Sequence, residues 1–205
     1  MNKTFFAVRM RILLSALLVV LLSACGSNPS LPVQLVHLRA AAPGTTSANP
    51  STTPSPFSPF NWQLATPVRV PDYLDRDALL VPQGKAGLQA VPGVRWAEPL
   101  RESVPRLLRQ DLATLLGENK VWTAPLPPGL VVQRQLRVEL LALEANQERN
   151  AVVLRARWSV ADVLGGAPPR VNSAVLSVPS ASDADSLAAA HRAALWQLAQ
   201  RIAAP

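Results

Sequence analysis

The sequence predicts an α+β fold in which a mainly antiparallel sheet carries two helices on one face and leaves the other face open. Two observations support this prediction. The predicted order is strands, helix, three strands, helix, and strands joined by short turns must run antiparallel. In the last strands apolar and polar residues alternate, as expected for a sheet with one buried and one wet face.

The first residues have the pattern of a bacterial export signal. Lys3, Arg9 and Arg11 stand in a stretch without acidic residues, and a largely apolar run, Ile12–Ala24, follows them. This run is shorter than the roughly 20 residues that a membrane-spanning helix needs, but it suits the hydrophobic region of a signal peptide. We therefore expect residues 1–24 to be removed from the mature protein.

The only cysteine of the chain follows this run directly. The tetrapeptide Leu22–Cys25 resembles the bacterial lipobox, in which the chain is cut between Ala24 and Cys25 and the cysteine thiol takes a diacylglycerol. A lone thiol is also a poor candidate for a disulfide or a metal site. An ordinary secretory signal with an incidental cysteine is the alternative interpretation.

Lipidation would make the mature protein a peripheral membrane protein. Each buried methylene contributes about 0.8 kcal/mol, so two or three acyl chains anchor a protein firmly. In sorted bacterial lipoproteins an Asp after the cysteine retains the protein at the inner membrane, and this chain has Gly26 there. The sequence therefore favours the periplasmic face of the outer membrane, with residues 25–32 as a lipidated tether.

The remaining chain is long enough for one domain with a core. We assign residues 33–205 to a single α+β domain with a Pro/Ser/Thr-rich insertion at about 41–61. Most cations are arginines scattered along the chain, which solvated strand faces and helix ends would explain; lipid headgroups or an acidic partner are the alternatives. No basic run is interleaved with aromatic residues, which disfavours nucleic acid as a partner.

The first half of the domain contains short strand-like segments. Val33–Ala40 is interpreted as a first strand, although without a pairing partner it would extend the tether to Asn61. Pro71 ends the second segment because proline has no N–H to donate to a ladder. The later segments of this half are Trp62–Val70, Ala78–Val81 and Gly87–Val91.

A helix is predicted next, because apolar residues recur at i, i+4, i+7 and i+8. Pro105 is compatible with this helix only if the helix begins near Glu102, which places the proline in the first turn. Gly117 is expected just past its end. The stripe consists of Leu100, Val104, Leu107, Leu108, Leu115 and Leu116.

Three strands and a helix complete the prediction. The first two strands, around Leu136–Ala142 and Val152–Val160, are joined by the short connection NQERN, which suits a hairpin. The third is Val171–Val178. The helix begins with Ser182 and Asp185 at the spacing of a capping box, and its apolar side carries Leu187, His191, Leu195, Leu198 and Ile202.

Residues for catalysis are scarce. The two histidines, His37 and His191, fit a strand and the apolar side of a helix, and no motif for a nucleophile, a zinc site or a phosphate loop occurs. The acidic residues Asp72, Asp75 and Asp77 lack a fourth hard ligand at a matching interval. We expect no enzymatic activity, no metal and no cofactor other than the covalent lipid at Cys25.

Two motifs resemble a known family. The stretches VRVPDYLD (Val68–Asp75) and RWAEPL (Arg95–Leu100), their spacing, and the terminal LAQRIA are similar to those of the ABC-type transport auxiliary lipoproteins, the family of the paraquat-inducible PqiC subunit. The resemblance extends over about residues 33–204 and the lipobox.

The resemblance implies an outer-membrane subunit of an MCE-type lipid transport system, in which it docks the periplasmic MCE-domain protein. We expect Pro71, Tyr73, Leu74 and Arg76 to contact this partner, since a proline-fixed turn that presents an aromatic residue is a typical interface anchor. The alternative is that Tyr73 and Leu74 fold back on the sheet as a hydrophobic plug. Trp96 is predicted to lie in the core.

Other functions remain open at this stage. A general envelope scaffold or a secretion-system accessory lipoprotein would have a similar α+β shape, and it would bind a pore-forming partner in place of an MCE protein. A direct lipid carrier would need a closed apolar cavity. The sequence also leaves open whether the protein forms a homo-oligomer.

Overall fold

The computed structural model describes residues 32–39, 41, 43 and 58–204. The predicted signal peptide, Cys25 and most of the predicted insertion at 41–61 lie outside these residues. By its internal contacts the chain divides at Pro32 and Val33, and the fold described below belongs to the unit Val33–Pro205.

The described residues form two helices and eight strands, which confirms the α+β class. In chain order the elements are β1 (Gln34–Val36), β2 (Trp62–Leu64), β3 (Ala78–Gln83), β4 (Gly87–Trp96), α1 (Leu100–Leu116), β5 (Val121–Trp122), β6 (Arg134–Ala145), β7 (Ala151–Asp162), β8 (Arg170–Pro179) and α2 (Ala184–Ala203).

The strands form two sheets, whereas the sequence predicted one. A three-stranded sheet has the order β1-β4-β3, and a five-stranded sheet has the order β5-β2-β6-β7-β8. The sheets are also mixed: β1 runs parallel to β4, and β2 runs parallel to both β5 and β6. The parallel pairs join strands that are distant in sequence, and the short turns on which the prediction rested say nothing about such pairs.

The short early strands differ in length from the prediction. The segment predicted for Trp62–Val70 forms a strand only up to Leu64, and Pro67, which has no N–H, cannot donate to a ladder further along it. The chain nevertheless stays beside β6, and Arg69 makes an isolated parallel bridge to Glu139. Val33–Ala40 does contain a strand, the three-residue β1.

The strand β4 is longer than predicted and continues beyond Pro92 to Trp96. Its pairing with β3 shifts register between Ala78 and Leu80, so the part of β4 that contains Pro92 has no partner in the regular register. A proline is tolerated in such an irregular stretch because no ladder bond is lost.

The hairpin of β6 and β7 is the longest pairing among the described strands. In β7 the predicted alternation holds along the whole strand, with Val152, Leu154, Ala156, Trp158 and Val160 buried. In β6 it holds only up to the bulge at Leu141, after which the two consecutive residues Ala142 and Leu143 are both buried. A bulge changes which face the following side chains occupy.

The two helices cover the buried face of the five-stranded sheet, as predicted. The helix α2 packs on β7 and β8, and α1 packs on α2. The helix α1 begins at Leu100 and not near Glu102, so Pro105 lies beyond its first turn. Gly117 ends the helix as expected, with its N–H donating to the carbonyl of Ala113.

The start of α2 was predicted one residue too early. The N-cap is Asp183 and not Ser182, and its carboxylate accepts a hydrogen bond from the backbone N–H of Ser186 at 2.9 Å. A side chain three residues before a free backbone N–H satisfies the donor that the helix leaves open. The predicted apolar side is buried at every position: Leu187, His191, Leu195, Leu198 and Ile202.

A buried ion pair joins the two helices. The guanidinium of Arg192 on α2 donates to both carboxylate oxygens of Asp111 on α1, at 2.6 and 2.8 Å, and both side chains are almost fully buried. The Nε of Arg192 also donates to the carbonyl of Arg39, at 2.7 Å, just after β1. Burial raises the pKa of the Asp111 carboxyl, and the hydrogen bonds and charge of Arg192 act in the opposite direction.

His191 is the other buried titratable group of α2. Its Nδ1 lies 2.7 Å from the carbonyl of Leu187, and its ring makes an edge contact with Trp96, which is in the core as predicted. Burial lowers the pKa of His191 to about 4, and backbone hydrogen bonds to Leu187 and Leu143 offset part of this effect. The imidazole is therefore neutral near pH 7.

The first prediction concerns the buried ion pair. We expect Asp111→Ala to lower the free energy of unfolding by about 3–5 kcal/mol, because it leaves the buried Arg192 unpaired. Urea unfolding followed by tryptophan fluorescence would measure this. The control is Glu98→Gln, which breaks the exposed pair with Arg106 and should cost less than about 1 kcal/mol. Equal losses in the two variants would contradict the prediction.

The second prediction concerns pH. Between pH 6.5 and 4 the unfolded chain binds a proton at His191 and the folded chain does not, so the stability falls as the pH is lowered through this range. The loss should be about 3 kcal/mol. His191→Gln keeps an N–H donor but does not titrate, so unfolding measured at both pH values should show a smaller loss in the variant. The same loss in both proteins would exclude His191 as the cause.

Candidate functional site

The face of the five-stranded sheet opposite the helices is open in the described part of the chain. We call it the open face. On β7 it carries Arg155, Arg157 and Ser159, which alternate with the buried residues of that strand. On the neighbouring strand β8 it carries Val171 and Val175, opposite Ser159 and Arg155.

One end of the open face forms a groove of about 670 Å³. Its floor is made by side chains of β2, β6 and β7, and one wall is the irregular segment after β2. The residues that line it are Gln63, Ala65, Thr66, Pro67, Arg69, Ala124, Gln135, Arg137, Val138, Glu139, Arg157, Trp158, Ser159 and Val171. This volume is typical of small-molecule sites in proteins.

The groove is positively charged, because Arg69, Arg137 and Arg157 face one carboxylate, that of Glu139. Arg157 donates to Glu139 at 2.6 Å. Arg137 has only long hydrogen bonds, of 3.4 Å, to the side chain of Gln135. Two guanidinium charges in the groove are thus not balanced by an acidic residue that lines it.

The other end of the open face exposes two large apolar side chains. Leu141 projects from the bulge of β6 and is 50% exposed, while Val175 on β8 is 70% exposed. Arg155 of β7 is opposite Val175 in the strand register. We call Leu141, Arg155, Val175 and Tyr73 the docking patch, since Tyr73 reaches this end of the face through Glu144 on β6.

The turn that the sequence singled out is a short 3-10 helix, Asp72–Leu74, directly after Pro71. Leu74 is only 6% exposed and belongs to the core, and Tyr73 packs partly against the core. This placement favours the alternative in which the two residues form a hydrophobic plug. Pro71 is half-buried and Arg76 is exposed, and the contact of these four residues with a partner stays a prediction.

The hydroxyl of Tyr73 is hydrogen-bonded to Glu144. Burial and the negative charge of Glu144 raise the pKa of Tyr73 to about 12, because both disfavour the phenolate. The positive charge of Arg155 acts in the opposite direction. Tyr73 is therefore a neutral side chain with an apolar ring and a polar tip, held at the edge of the docking patch.

The acidic residues near this turn do not converge. Asp75 pairs with Arg101, and Asp77 pairs with Arg95. Among the described residues no cluster of three or more His, Cys, Asp or Glu side chains could hold a metal ion. A search of the same residues finds no helix with the length and hydropathy needed to span a bilayer.

Sequence reasoning missed the groove. Its arginines are far apart along the chain, and the sequence analysis treated them as scattered cations. The structure brings Arg69, Arg137 and Arg157 together because β6 pairs with β7 on one side and with the segment after β2 on the other. The sequence did indicate solvent-facing positions in the predicted strands. Grouping the arginines at these positions into one site required the register of the sheet, which the sequence did not provide.

The third prediction uses the fact that Tyr73 is the only tyrosine of the chain. Tyrosinate absorbance of the folded protein should titrate near pH 12, whereas the urea-unfolded chain should titrate near the ordinary value of about 10. Glu144→Gln removes the neighbouring charge and should lower the midpoint of the folded protein. Identical curves for the folded and unfolded protein would contradict the described environment of Tyr73.

Comparison with known proteins gives the family. The family model for the ABC-type transport auxiliary lipoprotein component matches residues 44–203. No curated protein is significantly similar to the chain.

Two solved structures have a similar fold. One is an uncharacterized protein with a TM-score of 0.62 and 18% identity, covering 84% of this chain and 97% of that chain. The other is protein XCC0632 from Xanthomonas campestris with a TM-score of 0.63 and 15% identity, covering 83% and 93%.

These identities establish the shared fold alone, whereas the family model covers most of the chain. The resemblance inferred from VPDYLD and RWAEPL is thereby confirmed. Such a lipoprotein is held at a membrane of the cell envelope by its lipid. The chain belongs to the family of ABC-type transport auxiliary lipoprotein components.

Proposed function

We propose that the protein is a non-catalytic docking subunit of an MCE-type phospholipid transport system, anchored to the periplasmic face of the outer membrane through lipid at Cys25. In this role the folded domain contacts a periplasmic MCE-domain protein with its docking patch. The proposal extends the family assignment, which covers the auxiliary lipoprotein role in ABC-type transport.

The observation that carries the proposal is the end of the open face that exposes two large apolar side chains. Val175 and Leu141 are large and exposed, and Arg155, which is opposite Val175 in the strand register, interacts electrostatically with Tyr73. Exposed apolar side chains beside an arginine and an aromatic residue have the composition of an interface centre, where Tyr and Arg are enriched.

The lipid anchor supports the location. Cys25 lies outside the described residues, so the argument rests on the lipobox and on Gly26. A protein with two or three acyl chains does not leave its bilayer, which suits a subunit that must hold one end of a transport assembly. Gly26 in place of an Asp supports the outer membrane as that bilayer.

The absence of catalysis belongs to the proposal as well. His191 is enclosed in the core and neutral near pH 7, so it cannot exchange protons with a substrate at the surface. Glu139 in the groove is engaged by Arg157. The groove therefore offers charge and hydrogen-bond donors for binding, and we propose that it performs no bond-breaking chemistry.

The fourth prediction tests the docking patch. Val175→Asp adds a charge to an exposed position of the open face, so it should reduce the MCE-domain protein recovered by mild crosslinking of native membranes by about tenfold or more. Leu164→Asp is the matched control, since Leu164 is equally exposed but lies in the turn between β7 and β8. That variant should recover as much partner as the unmodified protein.

Both variants must still be lipidated and folded, which mass spectrometry at Cys25 and thermal unfolding would check. Recovery of a secretin or another pore-forming protein in place of an MCE protein would favour the accessory-lipoprotein alternative. Failure to recover any MCE protein with the unmodified chain would refute the docking role.

A further inference from the structure

The groove at the polar end of the open face holds more positive charge than the fold requires. Among the described residues the guanidinium of Arg69 makes no hydrogen bond or ion pair. The neighbouring Arg137 contacts only the amide oxygen of Gln135, over 3.4 Å. Neither side chain contributes to the core, so their shared position at one concave site calls for a ligand with negative charge.

The walls of the groove restrict the chemistry of that ligand. Ala65, Pro67, Ala124 and Val171 place apolar surface beside the arginines. Val171 is 65% exposed, and Val175 lies on the same face of β8 beyond the polar Ser173. A bare inorganic anion would leave this surface in water, whereas an amphiphile with an anionic head would cover it.

The donors suit a phosphate group. A guanidinium presents paired N–H groups whose geometry matches two oxygens of a phosphate, and such charge-assisted bonds are among the strongest in proteins. The amide of Gln135 donates to the side chain of Gln63 at 3.3 Å, which orders the polar floor below the arginines. The 670 Å³ volume accommodates a phosphate ester with its glycerol.

We propose that this groove binds the phosphate headgroup of an anionic phospholipid, with Arg69 and Arg137 as the phosphate ligands and Val171 against the glycerol and the first part of the acyl chains. Glu139 limits the affinity, because it holds Arg157 and repels the phosphate. The inference deepens the proposed function and depends on it for the supply of lipid at a nearby bilayer. The predicted tether of eight residues would keep the start of the domain within about 30 Å of that bilayer.

The binding experiment uses the purified, lipidated full-length protein in a neutral detergent. Dihexanoyl phosphatidylglycerol is added below its micelle concentration, and binding is followed by calorimetry. We expect saturable binding that weakens by about tenfold in Arg69→Gln and in Arg137→Gln. Arg170→Gln is the matched control, since Arg170 is an exposed arginine of β8 outside the groove, and its affinity should be unchanged.

A further variant separates a ligand site from a merely structural role. Glu139→Gln removes the carboxylate and frees Arg157, so it should tighten lipid binding several-fold. Loss of folding cannot produce a tighter complex. Unchanged lipid affinity in Glu139→Gln together with unchanged affinity in both arginine variants would overturn the proposal.

Three competitors identify the ligand. Inorganic phosphate should bind far more weakly than the lipid, and equal affinity would overturn the assignment to a phospholipid. Dihexanoyl glycerol, which lacks the phosphate, should not compete. A polyglutamate peptide that displaces the lipid at a lower concentration than the lipid's own dissociation constant would show that the groove is a protein-binding site.

The outcome is separable from that of the docking experiment. Arg69→Gln and Arg137→Gln should still recover the MCE-domain protein in crosslinked membranes, because neither residue belongs to the docking patch. Lost lipid binding with retained partner recovery supports both assignments as distinct sites. Retained lipid binding in a chain that recovers no partner would leave the groove assigned and remove the docking role.

Discussion

The fold depends on one buried contact between opposite charges. Arg192 and Asp111 connect α2 to α1, and the same guanidinium holds the backbone carbonyl of Arg39. Burying two ions costs several kcal/mol each, and only complete hydrogen bonding offsets that cost. This requirement constrains the distance between the helices at Arg192 and Asp111, and the position of the chain after β1 relative to α2.

The two faces of the five-stranded sheet therefore have different roles. The buried face of β6 and β7 is filled by helices, and every second side chain of these strands is thereby committed to the core. The remaining side chains of these strands face away from the helices, on the open face. At one end they include Arg137, Arg157 and Gln135, and at the other Leu141 and Val175 are exposed beside Arg155, so the two ends of one sheet face differ in their chemistry.

Most of the local structure could be predicted from the sequence because each element is determined by near neighbours. The alternation in β7 and the stripe of α1 are periodic signals that burial imposes directly. The capping residue of α2 was missed by one position, since Ser182 and Asp183 are both good caps and only the backbone path decides between them. The bulge at Leu141 gave no signal, because a Leu suits either face.

The pairing between segments that are distant in the chain could not be predicted from the sequence. The division into two sheets depends on the pairing of β1 with β4 and of β2 with β6. The sequences of such three-residue strands do not specify these partners. The groove is a product of the same pairings, so its arginines could not be grouped beforehand. Tyr73 and Leu74 were recognised as a notable pair, but their burial depends on where the turn meets β6, which is again a tertiary property.

The place where the chain enters the domain has a mechanical consequence. The predicted tether precedes β1, whose three residues pair with β4, and shortly after β1 the carbonyl of Arg39 accepts a hydrogen bond from Arg192. Tension on a membrane anchor before β1 would thus act on contacts inside the domain, those of β1 and Arg39, within a few residues. The hairpin residue Arg149 donates to the carbonyl of Pro82 on β3, at 3.1 Å, and ties the sheet that receives this pull to the sheet that bears the open face. A pull on the proposed lipid would therefore load β1, the Arg39 carbonyl and this link between the sheets before the rest of the fold.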